Sequence, residues 1–420
     1  MKRRVVVTGH GMVTPIGHTV EDTWKALLEG KTGVKHDSQL AEPKWNGMPC
    51  QSAYAARVHD FDAEQYLPKR EAKRMDPFIL YGVAAAQQAW THAGLPEKLT
   101  DEAGNRSGCL IGVGFAGVET ILNSHDTLVD RGPRRISPLF IPSVIANLSP
   151  GHVSMRFNLR GTNWATSSAS TSGVQSIGEA FLQIREGRSD LMVAGGAEAV
   201  VTPLVVTGFY NAGVYANNEA FSESEQVRPF DKDRKGFVLG EGAGVMILEE
   251  LESARRRGAN ILGEIVGYGM AMDGPGSWFE PDGKGLTRSI QHALDMAQYA
   301  PEHVDYINAH GAATMQSDRM ETDAFHSVFG DHAHDLVVSA TKASTGHLLG
   351  ATGAVEASFA LKAIQSNQVP PTLNLAEPDS SCDLDYVANE ARDAEVSVAM
   401  SVNCALGGVN SAILLAEYNG

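Results

Sequence analysis

Three stretches of the chain put chemically capable side chains beside small residues that let a substrate come close. The first, NWATSSASTSGVQSIGEA at positions 163–180, is a run of small hydroxyl residues, Ser170 among them, that leads into a helix. The first turn of a helix offers unpaired N–H groups and a positive dipole end. That environment lowers the pKa of a thiol and can hold an oxyanion. The same run also reads as a serine-rich helix cap. The second stretch, INAHGAATMQSDRME at 307–321, ends a strand and then presents His310, Gly311 and a polar loop with Thr314, Asp318 and Glu321. Active groups of α/β proteins gather at the carboxyl ends of strands, which suits His310, although a single histidine is more often structural. The third, SATKASTGHLLGATGAVE at 339–356, ends another strand and carries Lys342 and His347 ahead of a helix of small and apolar residues. Two neutral imidazoles at the ends of two strands can both donate hydrogen bonds to one developing anion. Neither an HExxH motif nor clustered carboxylates accompany them, so no metal is expected.

Two further motifs invite other chemistries. Gly112-Val-Gly114-Phe-Ala-Gly117 has the glycine spacing of a dinucleotide loop after a strand. No second strand ending in an acidic residue follows at the required distance, and HDTLVDRGPRRISP at 125–138 reads as a loop. Ser339-Ala-Thr-Lys342 matches the S-x-x-K of penicillin-binding proteins. It lacks their SDN and KTG partners and ends a strand instead of opening a helix.

The elements that must position these groups alternate between glycine-ended apolar runs and longer helical patterns, which indicates an α/β layer fold. Strands are predicted at Arg4–Thr8, Cys109–Val113, Leu191–Ala194 and Gly244–Leu248, then at Ile261–Val266, Val304–Asn308, Leu336–Ser339, Val396–Ser401 and Ala412–Ala416. Several are apolar throughout, as strands covered on both faces are. Helices are predicted at Thr171–Arg185, where Val174, Ile177, Phe181 and Ile184 recur at helical spacing, and at Leu286–Gln298. The first strand runs into Gly9-His-Gly11-Met12, and GEIVGYGMAMDG later repeats strand and Gly-x-Gly-Met. That echo suggests two duplicated halves, with a junction in the charged segment 250–260 and domains at 1–255 and 256–420.

Composition narrows the function classes. A chain of 420 residues exceeds the size at which one core usually stops growing. A net charge of −16 argues against non-specific nucleic-acid binding. Two basic clusters stand against that balance, Lys69, Arg70, Lys73 and Arg74 in one, Arg131, Arg134 and Arg135 in the other. They read either as solvated faces or as a docking site for an acidic partner. The start, MKRRVVVTGHGMVTPIG, reads as a buried strand and turn rather than a signal peptide, and no membrane span is visible. The four cysteines (Cys50, Cys109, Cys382, Cys404) form no CxxC pair, which fits a reducing cytoplasm and argues against zinc or a disulfide framework.

Taken in order, VVVTGHGMVTPIG, RPFDKDRKGFVLGEGAG (228–244), AHGAAT, TKASTGHLLGATGAVEA, VPPTLN (369–374) and NCALGGVN (403–410) resemble the β-ketoacyl-acyl-carrier-protein synthases of the type II elongating class and their polyketide relatives. The similarity spans essentially the whole chain. It implies a thiolase fold, five layers α-β-α-β-α in two duplicated halves. It implies decarboxylative condensation of an acyl group with a malonyl group, both delivered as thioesters by an acyl carrier protein. By that resemblance the nucleophile position is Ser170, the paired histidines are His310 and His347, and the lysine is Lys342 with Glu356 as its carboxylate. Asp318 and Glu321, in the polar loop after His310, are taken as supporting residues. The gating loop falls on Ala405-Leu406-Gly407-Gly408 beside Cys404, and the N–H groups of Ser170 and Leu406 would form the oxyanion hole. Arg70, Lys73, Arg74, Arg134 and Arg135 would dock the carrier protein. No cofactor is implied, because phosphopantetheine arrives on the carrier protein. A homodimer is implied, or a heterodimer with another ketosynthase subunit.

The departures from the family pattern bear on chemistry. Ser170 stands where the family has cysteine, Ala312 where threonine follows His-Gly, Cys404 and Leu406 where phenylalanines flank the gate, and Lys235 where aspartate is common. A hydroxyl at a helix tip cannot ionise as a thiol does, and serine enzymes need an oriented general base. The sequence therefore implies slow or absent acyl transfer to Ser170, with malonyl decarboxylation retained. An engineered Cys→Ser enzyme and a natural non-elongating partner of the chain-length-factor type are both compatible with the serine. Either reading requires residue 170 within hydrogen-bond reach of an imidazole.

Overall fold

The glycine pairs of the two Gly-x-Gly-Met segments lie on two neighbouring strands at the centre of the molecule. In the computed structural model, which describes residues 2–44, 47–274 and 282–420, these strands are β1 (Val5–Val13) and β6 (Gly263–Met272). Between them in the chain come β2 (Ser107–Gly112), β3 (Asn163–Thr166), β4 (Leu191–Glu198) and β5 (Gly242–Glu250). After β6 come β7 (Tyr306–Asn308), β8 (Val337–Ser339), β9 (Val398–Cys404) and β10 (Val409–Ala416). All ten belong to one mixed sheet in the order β8-β7-β9-β10-β6-β1-β5-β4-β2-β3.

Read outward from the centre, the two halves have the same topology. In the first, β1 pairs antiparallel with β5 and β5 with β4, while β4–β2 and β2–β3 are parallel. In the second, β6 pairs antiparallel with β10 and β10 with β9, while β9–β7 and β7–β8 are parallel. Among the described residues the two halves of the sheet are hydrogen-bonded to each other through Val5–Val7 of β1 against Gly263–Ile265 of β6, a short seam that lets the two five-stranded portions diverge and admit helices between them.

Six helices matter for the site: α1 (Pro77–His92), α2 (Val118–Arg131), α3 (Ser172–Arg185), α4 (Lys284–Ala297), α5 (Met315–Phe329) and α6 (Thr352–Ser366). Helices α3 and α6 fill the middle layer, and Val174, Ile177, Val355 and Phe359 share one core with Val5, Leu110 and Ile413. Helix α1 covers the outer face of the first half, packing Phe78, Val83 and Trp90 against Ile111, Val193 and Val245. Helices α4 and α5 cover the outer face of the second, where Leu286, Ile290 and Phe325 meet Ile307, Val338 and Met400. The result is the five-layer α-β-α-β-α arrangement.

The glycine echo has a steric cause. A Cβ on Gly9 or Gly11 would lie 2.2 or 2.3 Å from the carbonyl oxygens of Ala89 and Ala85 of α1. On Gly267 or Gly269 it would lie 2.1 or 1.8 Å from those of Ala293 and Ser289 of α4. In each half a glycine pair lets an outer helix lie almost on the strand.

Two sequence expectations need correction. The segment 125–138 is not all loop: residues 125–131 form the second half of α2, and Pro133–Arg135 is a 3₁₀ turn. Its few apolar residues follow helical spacing, but α2 buries none of them, so composition resembled a loop. Residues 163–166, read as part of a lead into the helix, form edge strand β3, too short and polar to show an apolar run.

Candidate active site

The hydroxyl run and the third loop meet because the two central helices cross at glycines. A Cβ on Gly173 of α3 would lie 2.7 Å from the backbone nitrogen of Ala354, and one on Gly353 of α6 would lie 2.6 Å from Val174. That close crossing carries Ser170, in the 3₁₀ turn Ala169–Thr171 ahead of α3, up to His347, just ahead of α6. The Ser170 hydroxyl oxygen lies 3.2 Å from His347 Nε2, and both groups are buried. His310 follows β7 and sets its ring 5.4 Å from that of His347, nearly perpendicular at 79°. Ser170, His310, His347, Cys404 and Leu406 line one cavity with Phe237. The structure thus brings together residues from β3–α3, β7–α5, β8–α6 and β9–β10.

All three loops hold a non-glycine residue in the left-handed region: Ala169 (φ 51°), Ala313 (φ 58°) and Leu349 (φ 42°). Such backbone costs about 1–3 kcal/mol each and persists where surroundings over-determine it, often at functional sites. Leu349 shows what the strain achieves. Its backbone N–H donates to His347 Nδ1 at 3.0 Å, and Thr352 Oγ1 lies 3.2 Å from the same nitrogen. An N–H can only donate, so Nδ1 is an unprotonated acceptor and the neutral ring carries its proton on Nε2. His347 therefore donates to Ser170.

Electrostatics keep both rings neutral. Burial first, then the Lys342 cation, holds His310 and His347 well below the ordinary histidine pKa, with His347 adding to the effect on His310. Lys342 lies at the start of a four-residue helix after β8, completely buried. Its ammonium donates to Glu356 Oε1 at 2.7 Å and to the His310 carbonyl. Asn403 of β9 donates to the other Glu356 oxygen at 2.7 Å. Burial raises the Glu356 pKa, against the pull of Lys342. The lysine is thus a buried cation that anchors the His310 backbone and polarises the site.

Asp318 and Glu321 act from behind the loop. Glu321 accepts the N–H groups of His310 and Gly311 at 2.6 and 2.7 Å. Asp318 accepts those of Ala313 and Phe230 at 3.0 and 2.8 Å, and Arg234 lies 3.5 Å from it. Burial pushes Glu321 up to about 8 and Asp318 up to about 6. Neither carboxylate touches the cavity; they fix the loop that aims His310. Leu406 is 42% exposed at the mouth, whereas Cys404 is buried with its thiol pKa pushed well up by burial.

Sequence reasoning missed four groups: the Leu349 N–H, Asn403, Arg234 and Glu198. Arg234, fully buried, binds the Thr314 and Met315 carbonyls and Asp379; within the charged run Asp-Lys-Asp-Arg-Lys at 231–235 nothing marks it as the buried one. Glu198, at the end of β4, accepts the N–H groups of Gly114 and Phe115 at 2.6 and 3.3 Å and of Gly350 at 3.0 Å. A carboxylate thus occupies the glycine-loop N–H groups a pyrophosphate would need, which removes the dinucleotide reading. The penicillin-binding reading also fails. Lys342 does open a short helix, contrary to expectation, but Ser339 Oγ pairs with Tyr306 at 2.8 Å and Lys342 with Glu356.

The basic residues lie apart from the cavity and are exposed. Arg70 is in the helix Lys69–Ala72, followed by Lys73 and Arg74. Arg134 and Arg135 are in the turn after α2. The segments are tied together by Ser143, which donates to the Arg74 carbonyl at 2.9 Å, and by Thr120 of α2, which donates to Asp76 at 2.7 Å. All four cysteines are free and buried. Among the described residues no helix is long and apolar enough to cross a membrane.

Known proteins share this fold. Residues 2–254 match the family described as Beta-ketoacyl synthase, N-terminal domain, and residues 262–376 match Beta-ketoacyl synthase, C-terminal domain. The chain is 43% identical over 422 aligned residues, 99% of each chain, to 3-oxoacyl-[acyl-carrier-protein] synthase 2 of Coxiella burnetii. It superposes with TM-score 0.90 and 31% identity, over 100% of both chains, on the ishigamide ketosynthase/chain length factor. It superposes with TM-score 0.87 and 29% identity, again over 100% of both, on the structure of a type II PKS acyl-carrier protein in complex with its ketosynthase bound to the hexaketide.

Proposed function

The chain belongs to the β-ketoacyl synthase family, and from that premise we propose that it is a β-ketoacyl-acyl-carrier-protein synthase-type acyltransferase of fatty acid or polyketide synthesis, slowed at acylation by Ser170. The malonyl thioester carbonyl would take the place of the Ser170 oxygen before the His347 Nε2–H, with His310 beside it. Loss of carbon dioxide leaves the C–C electron pair as an enolate, whose oxygen these neutral imidazoles stabilise. When an acyl group occupies Ser170, the enolate carbon attacks its carbonyl, the ester C–O bond breaks and the serine oxygen recovers a proton. When none does, water protonates the enolate and an acetyl thioester leaves. The Ser170 and Leu406 N–H groups serve as oxyanion donors in this reading. The prosthetic group it invokes is the phosphopantetheine arm brought by the carrier protein.

One observation carries the weak step. The Leu349 N–H forces the His347 proton onto Nε2, so the ring beside Ser170 is a donor and not the general base a serine nucleophile needs. Incubation with malonyl-carrier protein should release carbon dioxide and form acetyl-carrier protein without a Ser170 ester in the intact mass. Rapid, stoichiometric acylation of Ser170 would overturn this.

A chain-length-factor-like partner is the second reading, favoured by the serine and by the likeness to a ketosynthase/chain length factor. The assembled His310, Lys342 and His347 favour an enzyme, and restoring cysteine separates the two: elongation by the chain alone supports the enzyme, inactivity the partner. We further read residues 1–255 and 256–420 as two units, one supplying Ser170 and the other His310, Lys342 and His347. The exposed edge of β3, with Trp164 37% exposed, supports pairing with a second copy or a related subunit. The exposed Arg70, Lys73, Arg74, Arg134 and Arg135 support docking of the acidic carrier protein.

A further inference from the structure

We propose that His326, His334 and Asp383 bind one divalent transition-metal ion of the zinc, cobalt or nickel type on the outer rim of the second half. The three come from separate elements: His326 from the last turn of α5, His334 from the 3₁₀ turn Gly330–His334, and Asp383 from the loop that follows Asp379. One nitrogen from each ring and one carboxylate oxygen all lie within 4.8 Å of one another. His326 Nε2 is 2.7 Å from Asp383 Oδ1, and the two imidazole rings stand 5.1 Å apart at 61°. A zinc ion about 2.0–2.1 Å from each donor in tetrahedral geometry sets its ligands roughly 3.3 Å apart. Rotamer adjustments of about an ångström, within the freedom of partly exposed side chains, close that gap. Two imidazole nitrogens and one carboxylate suit zinc, cobalt or nickel, whereas magnesium and calcium prefer oxygen alone. Exposure of His334 and Asp383 leaves water to complete the coordination.

Preorganisation separates this cluster from a chance meeting of surface histidines. Every ligand is flanked in sequence by a residue of the same hydrophobic core: Phe325 before His326, Ala333 before His334, and Cys382 and Leu384 on either side of Asp383. The backbones that present the ligands are therefore fixed, which is what a binding constellation requires. The neighbouring His332 is excluded, since its Nε2 is engaged with the Val304 carbonyl at 3.0 Å. Protein stability does not account for the convergence either: the His326–Asp383 pair is partly exposed, and such pairs contribute little. Functionally the ion would clip the far end of a unit that begins at the active site. Helix α5 carries Asp318 and Glu321 behind His310, and Asp379 of the same loop as Asp383 pairs with Arg234 at 2.9 Å.

Metal-stripped full-length protein titrated with cobalt(II) should develop visible d–d bands that saturate at one equivalent. Calorimetric titration with zinc chloride should give the same stoichiometry. Replacing even a second-shell partner of a metal ligand weakens binding about 10–100-fold, so His326→Ala and His334→Ala should each weaken zinc binding by at least about tenfold and abolish the bands. His125→Ala, which removes an exposed histidine elsewhere, should leave both unchanged. Equal melting temperatures of all variants in chelator would show that the fold is intact. Absence of saturable bands, or bands that survive both His326→Ala and His334→Ala, would overturn the proposal and leave a simple His–Asp pair.

Discussion

Replacing Ser170 by cysteine tests the role of the nucleophile quantitatively. A free thiol ionises near pKa 8.5, and a water-like hydroxyl ionises about 7 units higher. At neutral pH the ionised fraction of the thiol is then about 10⁷ larger, while its intrinsic nucleophilicity falls with basicity along a slope of about 0.4–0.5. The net expectation is an acylation rate about 10⁴ times faster for Ser170→Cys, or about 5 kcal/mol of barrier. The surroundings should widen rather than close this gap. The His347 Nε2–H, 3.2 Å from Oγ, steadies a thiolate but cannot remove the proton from a hydroxyl. The assay is single-turnover transfer from acyl-carrier protein, followed by intact mass in a quench-flow series, with malonyl decarboxylation measured in parallel. A gain below about tenfold would mean that another group already activates Ser170, and the tautomer argument would fall.

The remaining predictions concern the frame of the site. Lys342→Met leaves Glu356 uncompensated in a fully buried pair and should cost about 3–5 kcal/mol in urea unfolding. The double change Lys342→Met/Glu356→Gln, which keeps an acceptor for Asn403, should recover most of that loss. His10 is buried with both ring nitrogens unpaired, and burial with the nearby His92 lowers its pKa to about 3. The unfolded chain, titrating near 6.5, therefore binds more protons than the folded chain between those values, and the parent loses stability as pH falls through that window. His10→Leu removes this proton uptake, so its stability advantage should be about 2 kcal/mol larger at pH 5 than at pH 7.5, measured by urea denaturation. Lys73→Glu and Arg134→Glu should each raise KM for malonyl-carrier protein several-fold in a salt-dependent way, about the effect of reversing one steering charge. Turnover of a small malonyl thioester should be unchanged, and equal losses with both substrates would place these residues outside carrier docking.

Residue types and local periodicity indicated an α/β layer fold in two halves, while the five layers and the roles of the site residues came from the family resemblance. Alternating apolar strands and helices announced the layers, because burial on both faces forces continuous apolar runs. The Gly9/Gly11 and Gly267/Gly269 pairs announced the duplication, because only glycine permits helices so close. The serine at position 170 is likewise a fact of sequence, as are the two histidines and the lysine at strand ends. Other features depend on residues far apart in the chain. Ser170 and His347 are 177 positions apart, and their relation is set by the crossing of α3 and α6. The His347 tautomer depends on one strained backbone N–H, and a strained φ leaves no mark on composition. Glu198 fills the glycine loop of β2–α2 from 84 positions away, and His326, His334 and Asp383 converge only because one core holds all three backbones. Local pattern reports what a segment buries; which polar groups then face one another is decided by packing.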